Sequence, residues 1–189
     1  AGNVTLHFNG DQGRLDAKVV AFPFEYIVRN IGIGTLSDSQ IAPPDDINSY
    51  VFCGIQAHIY PDFNSINSSH FVVGHRGGTE NTVEGKNTVN GSSSVNDAGT
   101  NVAPNGRADL RIVGQADNTI LWYYQAPNFD IGNTPDDWIA YRGTGLMPGT
   151  APVFGDSIYI GPITYAFGSA NVPFVGTIDA IELVGETPE

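Results

Sequence analysis

Residues 105–128 read NGRADLRIVGQADNTILWYYQAPN, and this stretch decides the fold. From Ala108 to Gln115, Leu110 and Ile112 alternate with Asp109 and Arg111. A strand there turns one face to an apolar core and the other to charge. Thr119 to Gln125 forms a second strand, with Ile120, Trp122 and Tyr124 on one face and Leu121, Tyr123 and Gln125 on the other. Between them, Ala116-Asp117-Asn118 supplies the short Asp and Asn side chains that a tight turn takes. The two strands make an antiparallel hairpin. Large side chains on both faces of the second strand leave two readings: packing on both sides, or one aromatic row left available to a ligand. Trp122 is assigned to the core, and Tyr123, Tyr124 and Trp138 stay open between core and platform.

On either side of the hairpin the same two-residue period returns. Asn3 to Phe8, Ala17 to Val28 (two strands, with Pro23 at a bend or edge), Tyr50 to Tyr60, His70 to Gly74 and Trp138 to Tyr141 all read as strands. So do Ser157 to Gly161, Ile163 to Phe167 and Val175 to Leu183. In Tyr50 to Tyr60, Val51, Cys53, Ile55, Ala57 and Ile59 share a face that reads as sealed core. No stretch of ten residues carries a helical period. With 23 Gly and 12 Pro in 189 residues, turns are frequent, and the expectation is an all-β, two-sheet antiparallel sandwich forming one domain over 1–189. Residues 76–105 are rich in Gly, Ser and Asn and are predicted as a long loop or hairpin excursion. Two Asn-Thr-Val-x-Gly copies, at 81–85 and 87–91, place its turn near Gly85-Lys86.

A net charge of −12 argues against a nucleic-acid phosphate surface and favours cations or neutral partners such as sugars. No run of eighteen apolar residues exists, so no membrane-inserting segment is expected. Cys53 is the one cysteine, which excludes an intrachain disulfide, and its apolar strand predicts a buried thiol. Ala1 opens no signal-type segment, so any signal peptide is expected to be upstream or removed. The composition is similar to that of a module secreted by a bacterium, hence extracellular or at the cell surface, and part of a multi-domain protein.

Near the C-terminus Gly155, Ile158, Ile160 and Gly161 are followed by Gly176, Ile178, Asp179 and Ile181. This pattern resembles the closing strands of the concanavalin A-like lectin/glucanase (laminin-G-like) sandwiches. The resemblance implies a concanavalin A-like jelly roll whose superfamily hosts lectins, carbohydrate-binding modules, hydrolases, lyases and adhesion domains. It also implies a structural calcium, with Asp179 beside the N-terminal turn and Asn9 and Asp11 as partners. Two further oxygen-bearing clusters, Asp45, Asp46 and Asn48, and Asp62 with Asn64, read equally well as turn caps.

Sugar recognition needs flat aromatics against C–H faces and planar polar groups for vicinal hydroxyls. Gln56, His58, His75, Arg76, Asp109, Arg111, Tyr123 and Trp138 supply that inventory, although Asp109 and Arg111 on one strand also suit a structural ion pair. The loops after Asn9, Asp45, Asp62 and Asn128, with 76–105, are expected to rim the site. Gln56-Ala57-His58 resembles the Gln-x-His strand of jelly-roll alginate lyases. That likeness implies His58 as base, Arg111 and Gln56 on the substrate carboxylate, and Tyr123 or Tyr124 as acid. The Arg-x-Glu and Tyr-Phe-Lys-x-Gly motifs of those lyases do not occur, and neither does the paired-carboxylate strand of the glucanases. No Gly-x-Ser-x-Gly elbow exists, and the four His show no zinc spacing. The reading is a non-catalytic, calcium-stabilised, carbohydrate-binding module of a secreted bacterial enzyme or adhesin. Its alternatives are a uronate-polymer lyase acting through His58 and a calcium-dependent peptide- or protein-binding adhesion module.

Overall fold

The structure, a computed structural model, describes residues 7–8, 11–34, 50–62, 67–76, 81–99, 102–166 and 175–185. Along the chain the strands are β1 (His7–Phe8), β2 (Asp11–Leu15), β3 (Lys18–Ala21), β4 (Phe24–Gly34), β5 (Tyr50–Ile59), β6 (Ser68–Arg76) and β7 (Asn81–Val89). They continue with β8 (Ser92–Asp97), β9 (Arg107–Gly114), β10 (Ile120–Gln125), β11 (Ile139–Ala140), β12 (Ser157–Ala166), β13 (Val175–Thr177) and β14 (Ala180–Val184). They form two antiparallel sheets. The eight-stranded sheet runs β1-β2-β12-β5-β6-β7-β8, with β3 also on β12; the six-stranded sheet runs β11-β10-β9-β4, with β13 and β14 both on β4. The expected all-β, two-sheet sandwich is the observed architecture. Among the described residues helix is limited to two three-residue 3₁₀ turns, and no helix is long and apolar enough to cross a membrane.

The hairpin of residues 108–125 is β9–β10, with Trp122 opposite Ile112 and Tyr124 opposite Leu110. Its turn puts Asn118 at φ 64, a left-handed conformation that Asn tolerates. Asp117 then accepts the Thr119 N–H at 3.1 Å. Inward-facing residues of both sheets make the main core, including Val51, Cys53, Ile55 and Ala57 of β5 against Val28, Leu110, Ile112 and Trp122. Phe71 stands edge-on to both Trp122 and Tyr141, at 5.7 and 5.2 Å between ring centroids. A smaller apolar cluster of Leu15, Ala17, Phe52, Val72 and Ile163 is packed separately.

One turn and two strands differ from expectation. Most of 76–105 is a regular hairpin, β7–β8, that completes one edge of the eight-stranded sheet. It turns at Asn90-Gly91, both at positive φ, rather than at Gly85-Lys86. Asn-Gly suits a two-residue hairpin turn, whereas Gly85 sits mid-strand for another reason. A Cβ on Gly85 would lie 2.3 Å from Met147 Sδ and 2.8 Å from the Tyr141 ring. The Ser-rich composition that suggested a loop belongs instead to an exposed edge strand, where polar residues discourage further pairing. Ser157 to Ala166 is one strand and not two, because Pro162 falls where β12 passes from β3 to β2 as neighbour. Val175 to Leu183 is broken at Ile178-Asp179 into β13 and β14.

Tyr141 ties the β10–β12 connection to the edge hairpin: its hydroxyl accepts the Gly85 N–H at 3.2 Å and donates to Asn96 O at 2.7 Å. Tyr141→Phe strands both groups and is expected to cost about 2 kcal/mol in urea unfolding, with no change in the far-UV signal of the folded state.

Candidate functional site

The site begins with a fault in β4. Arg29-Asn30 interrupts the apolar run FEYIVRNIGIG, and the register with β9 shifts between Val28 and Ile31. Asn30 takes φ 47 at this bulge, and a bulge re-aims the side chains beside it. The irregular backbone is held from three sides. Asn30 N–H donates to Asp109 Oδ1 at 2.7 Å, its amide donates to Asp179 Oδ2 at 2.8 Å, and its Oδ1 accepts Arg107 Nε at 2.7 Å. Arg107 also donates to Asn30 O, and to Thr177 Oγ1 at 3.1 Å.

Arg29 is thereby brought among three carboxylates. Nε donates to Glu182 Oε1 at 2.7 Å, Nη1 to Asp109 Oδ2 at 3.2 Å and to Asp136 Oδ1 at 2.7 Å, and Nη2 to Asp136 Oδ2 at 3.0 Å. The Asp136 pair is a two-point fork that fixes orientation as well as charge. Asp109 is fully buried. Its Oδ2 also accepts Gln125 Nε2 and the Asn128 N–H, each at 3.0 Å. Hydrogen bonds from Arg29 hold the Asp136 carboxyl well below the usual carboxylate range, and those bonds in turn raise the guanidinium further.

This hub anchors the 126–138 loop over the six-stranded sheet. Gln125 and Asn128 reach Asp136 Oδ1 at 2.9 and 3.1 Å, and Gln125 Oε1 accepts the Asp137 N–H at 2.7 Å. Within the loop Asp130 accepts Asn133 Nδ2 at 2.9 Å and the Thr134 hydroxyl at 3.1 Å. Between Asn128 and Asp136 lies a depression of about 290 Å³, lined also by Ile131, Asn133 and Thr134. Phe129 is 75% exposed beside it. Next to the hub, half-buried Trp138 has the Arg29 guanidinium at 5.4 Å and that of Arg111 at 5.9 Å from its ring centre. Arg111 lies over Tyr123 at 5.2 Å, while its Nε donates to Glu25 Oε1 at 2.6 Å.

Four of the sequence-predicted residues therefore come together here: Asp109, Arg111, Tyr123 and Trp138. Asp109 acts from below as an anchor, paired with Arg29 across the sheet rather than with Arg111 on its own strand. Gln56, His58 and His75 lie on the other sheet. His75 is buried opposite Val51 in the β5–β6 register. Gln56 and His58 are buried on β5, so the quartet His58, Gln56, Arg111 and Tyr123 is split between the sheets. The Arg76 side chain, the Asp11 side chain and all of Asn9 lie outside the described residues, as do Asp45, Asp46, Asn48 and Asn64. Of the calcium set, Asp179 alone has a described side chain, and it caps Asn30. Among the described residues no group of three or more His, Cys, Asp or Glu is placed to hold a metal ion.

Sequence reading missed Arg29, Gln125, Asn128 and Asp136. The available signal was Arg29-Asn30 inside an otherwise apolar strand, a pair that a regular buried strand does not tolerate. It missed a polar row on the eight-stranded sheet as well: Gln56 pairs in register with His70, and His70 with Lys86. Tyr159 stands opposite His58. Among the described residues Gln56 Oε1 is buried with no hydrogen-bond partner.

No protein-family model matches the chain, and no curated protein matches it. Among solved structures it is similar to the legume lectin-like domain from Entamoeba histolytica, at TM-score 0.51 and 9% identity, over 97% of this chain and 84% of that one. The fold is a concanavalin A-like jelly-roll sandwich. At that identity the likeness is one of fold alone, and the bulge, the Arg29 hub and the Trp138 stack are properties of this chain.

Two outcomes follow from the geometry. Arg29→Met leaves a buried carboxylate uncompensated and is expected to cost about 3 kcal/mol by urea unfolding. Burial, with the Lys86 charge added, pushes the His70 imidazole down to about 4. The unfolded chain therefore binds the extra proton between that value and the ordinary one near 6.5. Stability is expected to fall as pH drops through this window, by on the order of 3 kcal/mol, and to level off below it. His70→Gln should flatten that slope.

Proposed function

We propose that the chain is a non-catalytic carbohydrate-binding module that takes a glycan on the outer side of the six-stranded sheet. The observation that carries the reading is the Tyr123–Arg111–Trp138 stack, half-buried and beside a loop whose amides and carboxylates are already fixed. An aromatic ring offers its face to sugar C–H groups, and the guanidinium, Asn133, Thr134 and Asp130 offer directional partners to hydroxyls. The 290 Å³ depression between Asn128 and Asp136 shares Asp136 with the hub, so a sugar unit seated in it would lie next to the Trp138 ring. Likeness to a lectin-like domain supports the proposal at the level of fold. A secreted setting, a place within a larger protein and a stabilising calcium at Asp179 belong to the same proposal, the last on the resemblance alone. EDTA is then expected to lower Tm.

A second reading has one observation behind it. Gln56 and His58 share β5, Tyr159 is cross-strand from His58, and the Tyr159 ring meets Tyr60 at 5.0 Å. A uronate lyase would use His58 as base with Tyr159 in place of Tyr123. The two readings separate in one experiment. On a glycan array, with uronate polymers assayed in parallel at 235 nm, the module retains a glycan and releases no unsaturated product. Trp138→Ala is expected to weaken retention at least tenfold, and His58→Ala to leave it unchanged. Product formation that His58→Ala abolishes would move the assignment to the lyase.

A further inference from the structure

The far end of the sandwich from the Arg29 hub carries a second cavity. It opens between the sheets where Ser69 of β6 and Asn87 of β7 face Ile120 and Trp122 of β10, under the segment that carries Met147 and Phe154, and it measures about 230 Å³. Along β10 the distance from Ile120 to Gln125 is about 17 Å at the rise of an extended strand, so this crevice and the glycan face do not overlap.

Its walls are mostly apolar and aromatic; Asn118 and Thr119 line it from the β9–β10 turn, and Ser69 and Asn87 are the buried polar residues among them. Asn87 is 3% exposed and Ser69 2%. The Ser69 hydroxyl donates to Asn87 Oδ1 at 2.6 Å, which commits the amide oxygen and directs the amide NH₂ elsewhere. Among the described residues that NH₂ has no hydrogen-bond partner, and it keeps some accessible surface. Asn87 lines the crevice, which gives the donor its outlet. An amide donor at the floor of a mainly apolar space offers one directed hydrogen bond to a molecule that enters. Sites of this make-up, mostly apolar with one placed polar group, take small molecules. An apolar cavity of about 150 Å³ already accepts benzene; this one has room for a ring with a short substituent.

We propose that the crevice is a binding site for a ring-sized, largely apolar molecule bearing one hydrogen-bond acceptor, such as an aryl ketone or ester. The ring lies against Trp122, Met147 and Phe154, where thioether and aromatic groups suit a flat apolar surface. The acceptor oxygen takes the Asn87 Nδ2 hydrogen. Neither the glycan face nor the Gln56–His58 row contributes to it.

Acetophenone and ethylbenzene are the probes, alike in shape and differing in the carbonyl. Their affinities are measured by ligand-observed NMR on the whole chain, and Trp122 fluorescence is followed in a Trp138→Phe background. Both probes are expected to bind. In Asn87→Leu the ratio of acetophenone to ethylbenzene affinity is expected to fall about tenfold, the usual size of a lost buried hydrogen bond. Ala151→Trp, an exposed position at the crevice wall, keeps the core intact and is expected to abolish binding of both. The proposal is overturned if neither probe binds up to its solubility limit, if Asn87→Leu folds and leaves the ratio unchanged, or if Ala151→Trp leaves both affinities as they were.

Discussion

A guanidinium placed beneath a covering loop must find acceptors for its N–H groups before that loop can close, and Arg29 does so with Asp109, Asp136 and Glu182. The three carboxylates come from β9, the 126–138 loop and β14, so one side chain cross-links three separate stretches of chain. Desolvating a lone cation here would be prohibitive, and desolvating the fully buried Asp109 alone equally so. The arrangement persists because each charge is satisfied by the others, by Gln125 and by main-chain N–H groups. The bulge at Asn30 makes it possible: alternation after the core-facing Val28 already sets Arg29 on the outer face, and the insertion of a residue returns Ile31 to the core where a regular strand would have placed Asn30.

The consequence for chemistry is positional. A loop tied to the sheet by charged, two-point hydrogen bonds keeps its remaining polar groups in place before a ligand arrives, which lowers the ordering cost of binding. Arg111 extends the same logic one step outward. It is held by Glu25 and laid across Tyr123 and Trp138, so the aromatic rings are braced without being buried. Half-exposed aromatics beside prearranged amides are the ingredients a sugar surface requires, and they converge on the six-stranded sheet.

The other sheet treats similar residues differently. Gln56, His58, His70 and Glu84 are all nearly inaccessible, and His70 is kept neutral by burial. Their setting follows from the central place of β5 and β6, which are paired on both sides. The His70 ring faces Glu84 at 3.7 Å and the His58 ring meets the Ile59 carbonyl at 3.1 Å, while among the described residues Gln56 Oε1 has no partner.

Much of this was legible in the chain. The period-two alternation of 108–115 and 119–125, the apolar face of β5 and the absence of helical periodicity dictate an antiparallel sandwich, because alternation is a local property that survives any tertiary arrangement. The buried thiol of Cys53, pushed up to about 12 by burial, and the core position of Trp122 follow from the same rule. Partnership was not legible. Asp109 and Arg111 sit two residues apart and invite pairing, yet each finds its counter-charge on β4, at Arg29 and Glu25, which stand 80 and 86 residues away in the chain. Gln56 and Tyr123 have the same character on paper and lie on different sheets. Which strands become neighbours, where a bulge breaks the register and which loop covers which charge depend on long-range pairing. The alternation of side chains along one strand carries no record of it.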